Sequence, residues 1–238
     1  MRLLRTGVVV LFVLAVLFVA ADRISVNIAE DKAAEKVRSS QHIPSSGDAA
    51  VTIHGFPFLT QLAAGELDDV DARLSRMPAK AGDKDLTVTS IDADLHDVQM
   101  NGGLSRAVAR SADGTALISY DDLAGTTDKD VHIGWGGKGP DGKGRVRMTG
   151  SVTIPGFGKA MRQSVKSKVS VAGGDTVRLR ADKVPGGSVP GLEGLVRKKT
   201  DVDRKLTGLP PGLKLKRVDA TEKGVKLTMH GSHVQFAG

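Results

Sequence analysis

The chain has 238 residues, 26% charged and 40% in the hydrophobic set, with a formal net charge of +7; that is enough apolar side chain to offset ordering entropy, which excludes a disordered chain and suits one domain or two small ones. Cysteine is absent, which excludes disulfides, thiolate catalysis, Cys-bearing zinc sites and a lipid-modified N-terminal Cys. With 6 Phe, 1 Trp and 1 Tyr the core must be aliphatic, and clustered stacking platforms for single-stranded nucleic acid are missing.

Arg2 and Arg5 precede an uncharged apolar run of 16 residues, Thr6 to Ala21, closed by Asp22 and Arg23. As a helix it measures roughly 24 Å against about 30 Å of hydrocarbon, short for a span and right for a signal-sequence core. Val19-Ala20-Ala21 is an acceptable cleavage site, yet the helical pattern runs on past Ala21. Residues 1–21 therefore read as a signal peptide or an N-terminal membrane anchor, and both remain open. In either case the basic flank stays inside, and 22–238, read as one domain, faces outward into the periplasm or cell envelope. That location argues against nucleic acid as a partner.

Residues 24–40 have the period of an amphipathic helix, with Ile24, Ile28, Ala34 and Val37 as its stripe. Residues 43–48 form a loop, 51–53 a short strand, and 59–64 a short helix stopped by Gly65. Residues 66–77 alternate imperfectly. Residues 86–100 say more. Leu86 and Val88 share one face, Ile91, Ala93 and Leu95 take the opposite phase, and Val98 and Met100 slip back. A strand has a side-chain period of two, so the slips predict bulges near Thr89–Ser90 and His96–Asp97, and a bent strand. Asp113-Gly114 reads as a turn before a strand through Ala116, Ile118 and Tyr120. Further strands follow at 131–135, 146–154, 165–171 and 177–181, then a helix over 192–206 and a closing hairpin of 213–220 with 225–236. Val51-Thr52-Ile53-His54-Gly55-Phe56 matches Val152-Thr153-Ile154-Pro155-Gly156-Phe157 at five of six positions, from a duplicated half or from coincidence between two strand–turn junctions.

Charge is unevenly spread. Residues 1–137 carry net −6, and residues 138–238 carry net +13. A basic half suits an anionic partner such as lipid headgroups, although a plain solvated surface has the same composition. Gly137 to Gly144 nearly fits a phosphate-binding loop, but Gly144 replaces the hydroxyl and a strand follows, so it is a hairpin. His230 and His233 fall on opposite faces of a strand unless a bulge intervenes, and no metal site is expected. Asp68, Asp69 and Asp71, and Asp92, Asp94 and Asp97, match no calcium loop, and no Ser has a nucleophile signature. No cofactor is implied. What remains is apolar surface. Phe56, Phe58, Leu59 and Leu62 surround a proline turn, and Phe157 and Met161 take the corresponding place in the echo. Leu192, Leu195 and Val196 lie beside Arg197, Lys198 and Lys199. With Ile24 and Ile28 these form a candidate acyl-chain site, and the basic triplet a candidate headgroup site. Core packing and a wet helix face would look the same.

Two segments carry a family resemblance: VTIHGFPFLTQLAAGELDDVD at 51–71 and LPPGLKLKRVDATEKGVKLTMHG at 209–231. They resemble the actinobacterial phospholipid-binding lipoglycan-maturation proteins of the lipomannan elongation factor type, over nearly all of residues 22–238. The resemblance implies an α+β fold of tubular lipid-binding type, a strongly curved antiparallel sheet wrapped around a long helix with an apolar groove. It also implies a non-catalytic protein that binds a phosphatidylinositol-type anionic phospholipid at the membrane and supports lipomannan maturation, with an envelope glycosyltransferase as candidate protein partner. Two readings from other classes stand beside it: an envelope enzyme acting on a lipid-linked glycan, and a scaffold that holds envelope enzymes through its acidic half.

Overall fold

The computed structural model describes residues 2–81, 84–101, 106–127, 131–153, 160–183, 193–194, 197, 200–207 and 209–237. In chain order the elements are α1 (Arg2–Ser40), β1 (Asp48–His54), α2 (Phe58–Ala64), β2 (Glu66–Ala81), β3 (Lys84–Asn101), β4 (Arg106–Ile118) and α3 (Tyr120–Gly125). Then come β5 (His132–Lys138), β6 (Gly144–Thr153), β7 (Ala160–Ala172), β8 (Thr176–Lys183), β9 (Val202–Lys205), β10 (Leu213–Thr221) and β11 (Gly224–Ala237). The strands form two antiparallel sheets. Sheet A has the order β1-β2-β3-β4-β11-β10, and sheet B the order β5-β6-β7-β8-β9.

The fold is α+β with a long N-terminal helix, as expected, but the strands do not make one sheet wrapped around it. The chain leaves sheet A after Ile118 through α3, whose first turn is capped by the Ser119 hydroxyl accepting from the Asp122 N–H. It then builds sheet B as a separate layer before β10 returns to pair with β11. Sheet B covers one end of the sheet A inner face. Val146, Val169 and Val177 pack there with Leu86, Val88, Ala116, Ile118, Leu215, Val218, Ala220, Val225, Leu227 and Met229. The layers meet closely because Gly144 has no side chain: a Cβ on it would lie 1.9 Å from the Ala220 carbonyl oxygen.

The other end of that face is covered by the helices. Val26 of α1 and Phe58 of α2 pack on Leu67, Val70, Val98 and Ala109, with Phe236 at the margin. α1 runs beside β1 in the opposite direction. The Leu59 N–H donates to Asp22, the Ile53 N–H to Glu30 at 2.7 Å, and Arg38 pairs with Asp48 at 2.7 Å. In its first half every described side chain from Val8 to Ala21 is exposed; over Val8–Ser40 the helix is long and apolar enough to cross a membrane. α2 ends at Gly65, whose φ of 73° supplies the left-handed cap.

The phase slips in β3 occur where the sequence places them. Burial passes from Leu86 and Val88 to the opposite parity at Ile91–Leu95, then back to Val98. They are not bulges with an extra residue, because β2 and β3 hold one register from Ala81↔Lys84 to Glu66↔Gln99. Every neighbour slips at the same level. Asp68, Asp97, Arg110 and His233 line up across β2, β3, β4 and β11 without regular pairing, and Arg76 faces Thr89 likewise. Asp97, His233 and Arg76 take φ of 50°, 51° and 53°. Sheet A is therefore creased across its strands.

Two other expectations are corrected. Asp113-Gly114 is not a turn: β4 passes straight through it, and Gly114 sits on the inner face opposite Ala93 and Met229. The helix over 192–206 does not reach 206. Of the described residues, 193, 194, 197 and 200 are helical, whereas Val202–Lys205 is β9 and pairs with β8, held by the two-cation grip of Arg178 and Arg180 on Asp203. Val51 to His54 belong to the edge strand β1, while Val152 and Thr153 pair with Met161 and Ala160 of β7; residues 154–159 lie outside the described residues, so the echo is not tested.

Candidate functional site

The inner face of sheet A is built in rows, one residue per strand, spaced about 7 Å apart because inward side chains recur every second residue. Under the helices the row is Leu67, Val98, Ala109 and Val234. Beyond the crease come Val70, Leu95, Ala112 and Gly231, then Ala72, Ala93, Gly114 and Met229, then Leu74, Ile91, Ala116 and Leu227. The middle rows hold the smallest side chains of the face. Ala72, Leu74 and Ala93 belong to neither packed cluster and are only half-buried. Between the two covered ends the β2–β3 part of the face is thus a shallow, half-buried apolar trough of Ala72 and Ala93 with Leu95, Leu74 and Ile91, whereas Ala112, Gly114, Met229 and Gly231 farther along the rows are buried. Apolar atoms with a small-residue floor can take up a chain of methylenes, each worth about 0.8 kcal/mol when removed from water. Sequence reading missed this trough. Its signal was present as the inward Ala72 and Ala93 of two strands, but only the register shows that they share a row.

The residues singled out in the sequence fall into separate places. Phe58 is 2% exposed and fills the helix-covered core with Leu59 beside it, so it is packing. Phe56, Leu62, Ile24 and Ile28 are exposed at the same end, 45–61% of each side chain's residue in contact with solvent. Arg197 is at the other end: its guanidinium pairs with Glu193 at 2.9 Å and Asp201 at 3.5 Å and reaches the Ala181 carbonyl of β8. The structure therefore does not bring Arg197 to Phe58 and Leu62, and its charge is already answered by two carboxylates, which hold its pKa above the ordinary arginine value. Phe157, Leu192, Leu195, Val196, Lys198 and Lys199 lie outside the described residues, and of Met161 only the strand backbone is described.

Carboxylates gather on the β2–β4 part of sheet A, and cations on sheet B. On sheet A, Asp71, Asp94 and Asp113 stand in register on adjacent strands, and His54, His96 and His230 bond Asp71, Asp69 and Asp113. The Asp69 carboxylate raises the pKa of His96 above its ordinary value. The crease turns His230 and His233 to the same side, correcting the expected opposition. Among the described residues, no three His, Asp or Glu side chains are grouped to hold a metal. On sheet B, Arg145, Lys168 and Arg180 form one cross-strand row, and Arg147 and Lys166 face each other in the next. Arg145, 4% exposed, is held by Asp141 and Asp182. Arg147 and Lys166 have no acidic partner among the described residues, and like charges directly opposite are destabilising.

Compared with known proteins, a family model described as LmeA-like phospholipid-binding matches residues 20–230. No curated protein and no solved structure matches the chain.

Proposed function

The chain belongs to the LmeA-like phospholipid-binding family, and on that premise we propose that it holds one anionic phospholipid with its acyl chains along the trough of sheet A. The observation that carries the reading is the half-buried group of Ala72, Leu74 and Ala93 on β2 and β3, which belongs to neither packed cluster. A filled row would leave no place for methylenes; a small-residue row leaves one without opening the fold. The lipid is of the phosphatidylinositol type, the protein is exported and acts outside the plasma membrane, and its role is to present lipid during lipomannan maturation, in contact with an envelope glycosyltransferase. These finer assignments follow the family resemblance of the 51–71 and 209–231 segments. The protein performs no chemical step in this reading. In this reading the lipid lies against the half-buried β2–β3 part of the creased sheet.

The test is lipid content. Full-length chain extracted from its native membranes and examined by native mass spectrometry carries one phospholipid. Ala93→Phe and Ala72→Phe, which fill the trough from the inner face, lower occupancy at least fivefold while circular dichroism stays unchanged. Equal occupancy in wild type and both variants would sink the trough as the site, and a chain free of lipid would sink the binding reading.

A further inference from the structure

Outside the apolar run, the large hydrophobic side chains exposed among the described residues are four: Ile24, Ile28, Phe56 and Leu62. All four gather where α1 leaves the run. Ile24 and Ile28 are one turn apart on the face of α1 that points away from Val26 and the sheet; Phe56 precedes the short helix α2 and Leu62 lies within it. α2 is fixed to α1 at that level, because the Leu59 N–H donates to Asp22 at 2.9 Å. Asp22 is 0% exposed although it is the first charge after the run. The next charge, Arg23, lies with its guanidinium 5.1 Å from the centre of the Phe56 ring, the arrangement of an interfacial cation on an aromatic. α1 passes through this point without a break.

Length supports the same picture. The uncharged run is short, roughly 24 Å. With Asp22 covered by α2, the exposed stripe of α1 continues through Ile24 to Ile28, and Val8 to Ile28 extends about 31 Å, close to the thickness of hydrocarbon. Four apolar side chains in water at one end of a small domain need an apolar neighbour. The continuity of the stripe with a membrane-length helix says which: the same bilayer.

We propose that α1 is retained as an uncleaved anchor and that Ile24, Ile28, Phe56, α2 and Leu62 form a foot seated in the outer headgroup layer of the bilayer that α1 spans. The foot covers Asp22, completes the short span on one side and stands the strands of sheet A off the membrane. It is separate from the lipid-holding reading, since its readout is depth in the bilayer and not bound lipid.

Because the chain has no cysteine, single cysteines report position cleanly. Ile28→Cys, Phe56→Cys and Leu62→Cys, each labelled with an environment-sensitive fluorophore, are compared with Ser40→Cys in full-length chain reconstituted in phosphatidylcholine–phosphatidylglycerol vesicles. The first three emit to the blue of Ser40→Cys and are quenched at least twofold more by a nitroxide near the headgroup than by one at the acyl terminus. Water-like emission at 28, 56 and 62, matching position 40, overturns the foot. The intact mass of the unsubstituted protein from its native membranes is the second measurement. A chain retaining residues 1–21 supports the anchor; a chain beginning at Asp22 overturns it.

Discussion

The Ser167 hydroxyl is wholly buried on the inner face of sheet B between Val165 and Val169, with no hydrogen-bond partner among the described residues. An unmet buried donor costs about 1–3 kcal/mol. Ser167→Ala removes the hydroxyl and keeps the shape, so it should stabilise the protein by about 1 kcal/mol, seen as a higher urea midpoint with unchanged slope. Tyr120 is the opposite case. Its phenol donates to the Thr221 carbonyl at 2.7 Å, and burial pushes its pKa up to about 12. Since the chain has one Tyr, absorbance of the phenolate reports this group alone, and the folded protein should titrate near pH 12 while the unfolded chain titrates near 10. The folded state holds the proton more tightly. The stabilisation is therefore complete below pH 10 and is lost as pH rises from 10 towards 12. Phe58 shows what a sequence cannot reveal about a single residue: its neighbours Phe56 and Leu62 have the same chemistry, yet it is core and they are surface. Only the docking of α2 on Asp22 separates them.

Among the elements, the crease of sheet A is the device that shapes the site. Arg76, Asp97 and His233 hold left-handed backbone there, which costs an L residue roughly 1–2 kcal/mol. Arg76→Gly should leave stability unchanged or raise it, whereas Arg76→Val, β-branched at positive φ, should lower it by about 1–2 kcal/mol in chemical unfolding. Equal effects of the two would mean the conformation is not strained. Much of the crease was legible. The parity changes at Leu86–Val88, Ile91–Leu95 and Val98–Met100 locate both slips in β3. Whether the neighbours slip too is a matter of register, which one strand does not encode. Gly114 misled because a glycine in the middle of a strand and a glycine in a turn look alike locally; its place in the strand is settled by Ala93 and Met229 across the ladder. Residues 192–206 misled for a related reason. The apolar spacing is helical up to Thr200, and the four residues of β9 are drawn into a strand by the edge of β8.

At the scale of the molecule, the charge division seen along the chain becomes in part a division between sheets. Sheet B, built mostly from the basic half, is strongly cationic, whereas in sheet A the acidic β1–β4 are joined by β10 and β11 with Lys214, Lys216, Arg217 and Lys226. Detergent-solubilised protein should bind a cation exchanger through sheet B. Arg147→Glu with Lys166→Glu should then elute at clearly lower salt than Lys32→Glu with Lys36→Glu, which changes net charge equally on α1. Matching elution would show that the two sheets act as one averaged surface. The separation also explains why apolar residues and a nearby basic triplet could not be joined into one site from sequence. Phe58 and Leu62 belong to the helix-covered end and Arg197 to sheet B, with the length of β2 and β3 between them.

The four residues outside the regular strand ladder, Asp68, Asp97, Arg110 and His233, also restrict how such a chain can change its length. Deleting one of them would turn half of a single strand inside out against neighbours that keep their own orientation. A tolerated shortening would have to remove all four together. Natural insertions and deletions should accordingly collect in the connections between strands, leaving the four-strand block at a fixed count of residues.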